Sequence, residues 1–292
     1  MSPFESSVTE DWPLVSVVTP SYNQARYLDK TIRSVLDQDY PNVEYIVIDG
    51  GSTDDSIEII RQYESRLAYW VSEPDGGQVE AINKGWSRAN GSVLAFLNSD
   101  DHYLPGAVSK VMTAFRENPD VEMVSGQVQL VTERGGSFGT WSTRITKGQE
   151  LLDRLESLPQ PATFVRRSAV QKAGLLDPSF HFALDVEFFM RVAGKSTFMT
   201  LPSALAGALY HPESKSVAKG PAFAQEFVRL AEKVISHPAD YPMMQINPRR
   251  VRAMAHRKAA RFCYVHGAFA PALVHLWEAA RLAPSSLHSI LG

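Results

Sequence analysis

Four short apolar runs, each followed by a stretch of helical periodicity, constrain the first hundred residues of this chain more than any other feature. Leu14 to Thr19 is β-branched and closed by Pro20, the pattern of a buried strand leaving its sheet. Glu44 to Ile48, Leu67 to Ser72 and Ser92 to Leu97 repeat it. Between them, Ala25 to Gln38 carries Leu28, Ile32, Val35 and Leu36 at helical spacing. Further helices are predicted over Ser56 to Tyr63, capped by Thr53 or Asp54, and over Gln78 to Ala89. This alternation predicts an α/β fold with a mostly parallel, doubly wound sheet. Ligands of such sheets collect beyond the carboxyl ends of the strands, here at Pro20 to Gln24, Asp49 to Asp55, Glu73 to Gln78 and Asn98 to His102.

After Pro105 the rhythm changes. A helix is expected to about Asn118, then a strand around Val121 to Ser125. The Gly-rich, aromatic stretch Gly135 to Trp141 reads as an extended antiparallel hairpin or a mobile loop flanking the site. Helical character returns at Gly148 to Leu155, around Asp185 to Ala193, and from Pro248 to about Ala283 with a break at Gly267.

A net charge of −3 over 292 residues gives no general reason to expect nucleic acid, although Arg249, Arg250, Arg252, Arg257, Lys258 and Arg261 make one local stretch basic. The single cysteine, Cys263, excludes an intrachain disulfide and is expected at a buried helix position. Met1 to Trp12 has no apolar core of a signal peptide, and no window reaches the roughly 18 apolar residues needed to span a bilayer. The expectation is a protein on the cytoplasmic side, touching a membrane at most peripherally.

Chemistry enters with Phe96-Leu97-Asn98-Ser99-Asp100-Asp101, where two adjacent carboxylates follow a strand and can hold a divalent cation. Together with Val17-Val18-Thr19-Pro20-Ser21-Tyr22-Asn23, Ser34 to Gln38, Val47-Ile48-Asp49-Gly50-Gly51-Ser52-Thr53-Asp54 and Glu73 to Gly85, this run closely resembles the family 2 glycosyltransferases of the GT-A fold, over roughly residues 14 to 215. The segment Glu73 to Gly85 is similar to that of bacterial members that build surface polysaccharides.

The resemblance implies a nucleoside diphosphate sugar donor. Pro20, Ser21, Tyr22 and Asn23 would pack on the nucleoside. Asp49 would accept a hydrogen bond from the base, a role compatible with an Asx turn before Gly50. Asp75 and Lys84 would contact the nucleotide, the bland reading being a turn with a solvated lysine, and Asn83 is as readily a bond to a neighbouring loop. Asp100 and Asp101 match the end of the family's DXD-type motif, with Asn98 at its first acidic position lowering the local negative charge. Asp101 would ligate Mn²⁺ or Mg²⁺ directly, with Asp100 as its partner toward the ribose or the metal.

Gln160 to Arg167, Gly174 to Asp177 and Leu184 to Arg191 resemble the second half of the same domain, where Asp185 aligns with the general base of inverting transfer. Glu187 lies about 200° further round the helix and is expected to pair with Arg191 at i+4. A lone His181 is expected to be structural. Tyr210 to Ser216 is similar to the family's late loop, in which His211 would complete the metal or phosphate shell and Lys215 would touch diphosphate.

The organisation expected is a tail over 1–12, a GT-A catalytic domain over 13–220 with its nucleotide-sugar half at about 13–104 and acceptor half at about 105–220, and a helical region over 221–292. Gly267, Ala272, Ala279 and Pro284 fall at tetratricopeptide-like spacing, while Ala259 and Ala260 suit close packing. This hairpin would dock on the catalytic domain or pair with another copy. Basic residues beside Phe262, Tyr264, Phe269 and Trp277 also suit a membrane surface. The function implied is metal-dependent, inverting transfer of a sugar to a saccharide or lipid-linked saccharide hydroxyl in bacterial cell-surface polysaccharide synthesis, without a nucleic-acid partner. A sugar nucleotidyltransferase would want a Gly-rich, basic loop where Pro20-Ser21-Tyr22-Asn23 stands. A non-catalytic nucleotide-sugar or glycan-binding protein would not need Asp100, Asp101 and Asp185 together.

Overall fold

The computed structural model describes residues 12–211, 214 and 220–283. Among these, nine strands form one sheet: β1 (Val15–Ser21), β2 (Val43–Asp49), β3 (Tyr69–Ser72), β4 (Val93–Phe96), β5 (His102–Tyr103), β6 (Met123–Val131), β7 (Ser137–Trp141), β8 (Thr163–Arg166) and β9 (Phe198–Leu209). Their order is β3-β2-β1-β4-β8-β6-β9-β5, with β7 hydrogen-bonded to β6. The first four in this order are mutually parallel. Beyond β4 the sheet is mixed: β8 runs antiparallel to both neighbours, β9 is parallel to β6, and β5 and β7 are antiparallel edges. The parallel pattern read from the sequence thus describes the first half, and β7 makes the hairpin expected of Gly135 to Trp141.

Strand alternation divides the core between the two faces of the sheet. Val15, Val17, Tyr45 and Val47 point to one side, where Leu28, Ile32 and Val35 of α1 (Ala25–Leu36) and Val111 and Phe115 of α4 (Ala107–Glu117) cover them; the short α2 (Ser56–Gln62) adds Ile60. Val18, Ile46, Ile48 and Phe96 point to the other, under Ile82 and Trp86 of α3 (Gln78–Arg88). That core continues through α5 (Gly148–Arg154), α6 (Arg167–Ala173) and α7 (Leu184–Ala193), with Leu151, Val170, Phe188 and Phe189. A Cβ on Gly85 would lie 2.4 Å from Val18 Cγ1, so α3 can approach β1 this closely only with glycine there.

Three further helices close the chain: α8 (Gly220–Ser236), α9 (Pro248–Val265) and α10 (Phe269–Leu282). Phe227, Leu230, Ala231 and Val234 of α8 and Val251 and Ala255 of α9 join the α7 core. The helical region is therefore docked on the α7 side of the sheet, and its hairpin reaches the body of the chain through α9, one of the two arrangements expected of it. Asn247 caps α9 by accepting from Arg250 N at 3.1 Å, and Gly267, at φ +73°, ends the helical run as predicted. Ala224, Ala259, Cys263 and Ala272 pack tightly together, which puts the lone cysteine in the buried position expected. Pro284 of the tetratricopeptide-like spacing lies outside the described residues. Phe269, Leu273, Val274 and Trp277 leave an apolar face of α10 exposed. Among the described residues no helix is long and apolar enough to cross a membrane.

Candidate active site

Parallel register brings Ser21, Asp49 and Ser72 into one row at the carboxyl edge of β1, β2 and β3. Asp49 is fully buried. Its Oδ2 accepts from Ser72 Oγ at 2.6 Å, Ser52 N at 2.8 Å and Gly51 N at 3.1 Å, and its Oδ1 from Ser52 Oγ at 2.5 Å. The Asx-turn reading is therefore realised, and the carboxylate shapes the loop on which a base would rest. Asn23, at φ +51°, accepts from Thr53 N at 2.8 Å, and its own N–H donates to Ser52 Oγ at 2.8 Å, so the loops after β1 and β2 form one floor. Asp54 does not merely serve its own helix: its Oδ2 accepts from Ala25 N at 2.9 Å and holds the start of α1. Ser21 Oγ is buried without a partner among the described residues, whereas Tyr22 stands 60% exposed over this floor. A buried orphan hydroxyl beside an open aromatic ring suits a polar, flat ligand.

Asp75 accepts from Gly77 N at 2.8 Å, and burial raises its proton affinity. Lys84, 2.9 Å from Glu73 and held above its ordinary pKa chiefly by that hydrogen bond, is engaged in an ion pair rather than solvated. Asn83 bonds the neighbouring loop, exchanging hydrogen bonds with Leu176 N–H and C=O at 3.1 and 2.9 Å.

At the end of β4, Thr31 Oγ1 of α1 lies 2.9 Å from the Ser99 carbonyl and 2.6 Å from that of Asp101, fixing the turn that carries both acids. Asp101 is buried, and burial, with Asp100 beside it, pushes its carboxyl well above the usual range. Asp100 Oδ2 sits 3.1 Å from Nε2 of buried His211, whose Nδ1 has no partner among the described residues. Fold-back of β9 delivers His211, so residues 111 apart in sequence meet as the late-loop resemblance implies. Lys215 lies outside the described residues.

Asn98 organises these acids. Its Nδ2 donates to Asp101 Oδ2 at 3.3 Å and Gln160 Oε1 at 3.0 Å, and its Oδ1 accepts from Gln78 Nε2 at 2.7 Å. Gln160 is buried and donates onward to the Phe96 carbonyl at 2.7 Å. An aspartate could not donate either bond, which gives the departure from the acidic motif a structural reason. Gln78 and Gln160 lie inside the motif segments read from the sequence, but neither was singled out, because their partners come from other loops. A buried carboxylate beside a partly exposed one, with an orphan imidazole nitrogen near, suits a divalent cation. No three His, Cys, Asp or Glu side chains converge as a full cage among the described residues, so further ligands would come from the diphosphate.

Asp185 lies in the first turn of α7, partly exposed, and accepts from Ser157 Oγ at 2.8 Å. Burial raises its proton affinity against the opposing Ser157 bond. Three residues after Ser157, the same segment carries Gln160, which links the start of α7 to Asn98. Glu187 is fully buried and pairs with Arg191 at 2.8 Å, as its spacing predicts, and also with Lys233 of α8 at 2.8 Å. His181 contributes a backbone N–H to Glu226, in keeping with a structural place.

The Glycosyl transferase family 2 model matches residues 16–174. An uncharacterized glycosyltransferase of Mycobacterium tuberculosis is 37% identical over 188 residues, 62% of this chain and 69% of the relative. The putative teichuronic acid biosynthesis glycosyltransferase TuaG of Bacillus subtilis is 42% identical over 156 residues, 52% of this chain and 56% of TuaG. The crystal structure of S. aureus TarS 1-349 in complex with UDP-GlcNAc superposes with a TM-score of 0.66 at 18% identity, covering 95% of this chain and 83% of that one. That likeness establishes the GT-A fold, and the family match over more than half the sequence establishes the rest: the chain belongs to glycosyl transferase family 2.

Proposed function

We propose that this protein transfers a sugar, with inversion, from a nucleoside diphosphate sugar to a saccharide or lipid-linked saccharide hydroxyl in bacterial cell-surface polysaccharide synthesis. The observation that carries the proposal is the linkage of Asp185, through the Ser157 to Gln160 segment, to the Asn98, Asp101 and Asp100 network at one sheet edge. TuaG and the UDP-GlcNAc complex of TarS support the polymer class and the donor class.

In this reading residues 13–220 are the catalytic domain and 221–292 a helical region packed on it. Ser21 and Tyr22 hold the nucleoside on the floor made by Pro20, Asn23 and Asp49, with Asp75 and Lys84 at its rim and Lys215 toward the diphosphate. Asp101 and its neighbour Asp100 would hold Mn²⁺ or Mg²⁺, and His211, now hydrogen-bonded to Asp100, would have to reorient to complete the shell, its imidazole favouring Mn²⁺. When bound, the cation neutralises the diphosphate and the charge developing on the leaving nucleotide. Asp185, ionised, accepts the proton of the acceptor hydroxyl as its oxygen bonds to the anomeric carbon and the bond to the diphosphate oxygen breaks. Its raised proton affinity, set by burial, makes it a stronger base than an exposed aspartate. The protein would work at the inner face of the cell membrane, where the apolar face of α10 supports peripheral contact.

Thermal shift against UDP, GDP, dTDP and CDP, each with Mn²⁺ or EDTA, tests the donor site, because a ligand of the native state raises the melting temperature. One nucleotide should stabilise the protein only with metal; no shift with any of them would refute the reading. Asp185→Asn should then bind that nucleotide normally and lose about 10²- to 10⁴-fold in transfer, and retention of full transfer would remove Asp185 as base.

A further inference from the structure

The loop that carries the chain from α6 to Asp185 is held by one stripe of α8. Lys233 Nζ lies 2.6 Å from Asp177 Oδ2, Arg229 donates to the Ser179 carbonyl, and Glu226 accepts from His181 N at 2.8 Å, Phe182 N at 2.8 Å and Ala183 N at 2.7 Å. Residues 226, 229 and 233 fall on one face of a helix, so a single element grips the loop along its length. Glu226 is buried, and Arg229 Nη2, 3.2 Å away, is its charge partner.

The first turn of a helix leaves backbone N–H groups unpaired, and a Ser, Thr, Asp or Asn at the cap usually takes them. At α7 the cap residue is Ala183, which has no side chain for the purpose. Glu226, from another helix, takes instead the N–H groups of the two residues before the cap and of Ala183 itself, the first of those the turn leaves unpaired, and a carboxylate there is favoured by the helix dipole. Asp185 sits two residues beyond the last N–H that Glu226 holds. The direction of its carboxylate is therefore fixed from one side by Ser157 and from the other by a turn anchored in the helical region.

The geometry points to Glu226 as a positioning residue for Asp185, which makes α8 a working part of the acceptor site. This inference rests on Asp185 being the base. A merely structural carboxylate would, when lost, weaken folding and ligand binding together. A positioning carboxylate would, when lost, slow the chemical step and leave the nucleotide site, built on the other half of the sheet, as it was.

Glu226→Gln keeps the volume but replaces one acceptor oxygen with a donor facing N–H groups. Its readouts are UDP-GlcNAc turnover to water with Mn²⁺, UDP affinity by calorimetry, and amide hydrogen exchange. Turnover should fall on the order of 10- to 100-fold, the scale for a displaced reacting group, with UDP affinity within about twofold. In an Asp185→Asn background the same change should cost less than about twofold more, since the group it positions is already gone. Exchange should rise at residues 181–185.

Additive losses in the double variant, parallel losses of turnover and UDP affinity, or unchanged turnover would each overturn the inference. If Glu226→Gln does not fold, Glu226→Asp, which keeps the charge but not the reach, is read the same way. Should the wild type hydrolyse no UDP-GlcNAc, turnover and affinity are read instead with the nucleotide, and its sugars, that stabilises the wild type in the thermal-shift test. Protection at 181–183 unchanged by either variant refutes Glu226.

Discussion

Replacing Asn98 with aspartate would restore the acidic motif that the family resemblance leads one to expect, and the structure predicts that it harms the metal-free protein. Asn98 Nδ2 donates to Asp101 at 3.3 Å and to Gln160 at 3.0 Å. In Asn98→Asp both donors vanish. Gln160 cannot turn its amide to compensate, because its Nε2 is committed to the Phe96 carbonyl at 2.7 Å. Leaving its oxygen unpaired costs about 1–3 kcal/mol. Two carboxylate oxygens 3.3 Å apart repel by about 5 kcal/mol at an effective dielectric of about 20, a ceiling that solvent access and protonation reduce. A net loss of about 2–4 kcal/mol remains, or roughly 3–7 °C in melting temperature for a chain of this size. The assay is calorimetric melting in EDTA and in saturating Mn²⁺. The variant should melt lower than wild type in EDTA and recover much of the difference with Mn²⁺, because its added charge favours the cation. Adding Asp101→Asn should relieve the EDTA deficit. A variant that melts at or above the wild-type temperature in EDTA would refute the assignment of Asn98 as the donor that keeps the acids apart.

Two further consequences can be checked directly. Burial opposes it, but the Lys233 and Ser179 hydrogen bonds bring Asp177 down to about 2, below the roughly 3.9 of an unfolded aspartate. A depressed carboxyl stabilises the native state fully above its unfolded pKa and loses that contribution as pH falls through its folded one. Acid unfolding followed by circular dichroism should therefore show a pH 4 to 2 dependence that Asp177→Asn flattens, and an unchanged acid limb would exclude the Lys233 pair as its source. On α10, Trp277, 63% exposed beside Phe269, Leu273 and Val274, should carry binding to vesicles rich in phosphatidylglycerol, lost in Trp277→Ser. Wild-type protein that fails to float with vesicles but scatters light as a dimer would assign this face to a second copy.

What could be read in advance follows the range of the forces involved. The strands β1 to β4 were legible because each carries its own apolar run and the next helix begins within a few residues. The Glu187–Arg191 pair was legible because four residues along a helix is one turn. β9 was not: Pro202 and a string of alanines and Gly207 give it no alternation, and it becomes a strand because β6 and β5 lie against it. α8 lies within the helical region expected over 221–292, but the roles of Glu226, Arg229 and Lys233 were not legible, because their partners lie about fifty residues earlier. The site divides the same way. Asp49, Asp100, Asp101 and Asp185 announce themselves by motif, but the groups that set their geometry are distant amides and carboxylates: Gln78 and Gln160 around Asn98, Glu226 under Asp185. Neither reading of Lys84, nucleotide contact or a solvated lysine, named its partner, for the same reason: a lysine on a helix finds Glu73 across a turn. A buried acid can keep an unusual proton affinity only if every neighbouring donor is fixed, and fixing donors takes side chains from several elements at once. Motif residues therefore name the chemistry, while its tuning is distributed over residues that carry no signature until the chain has folded.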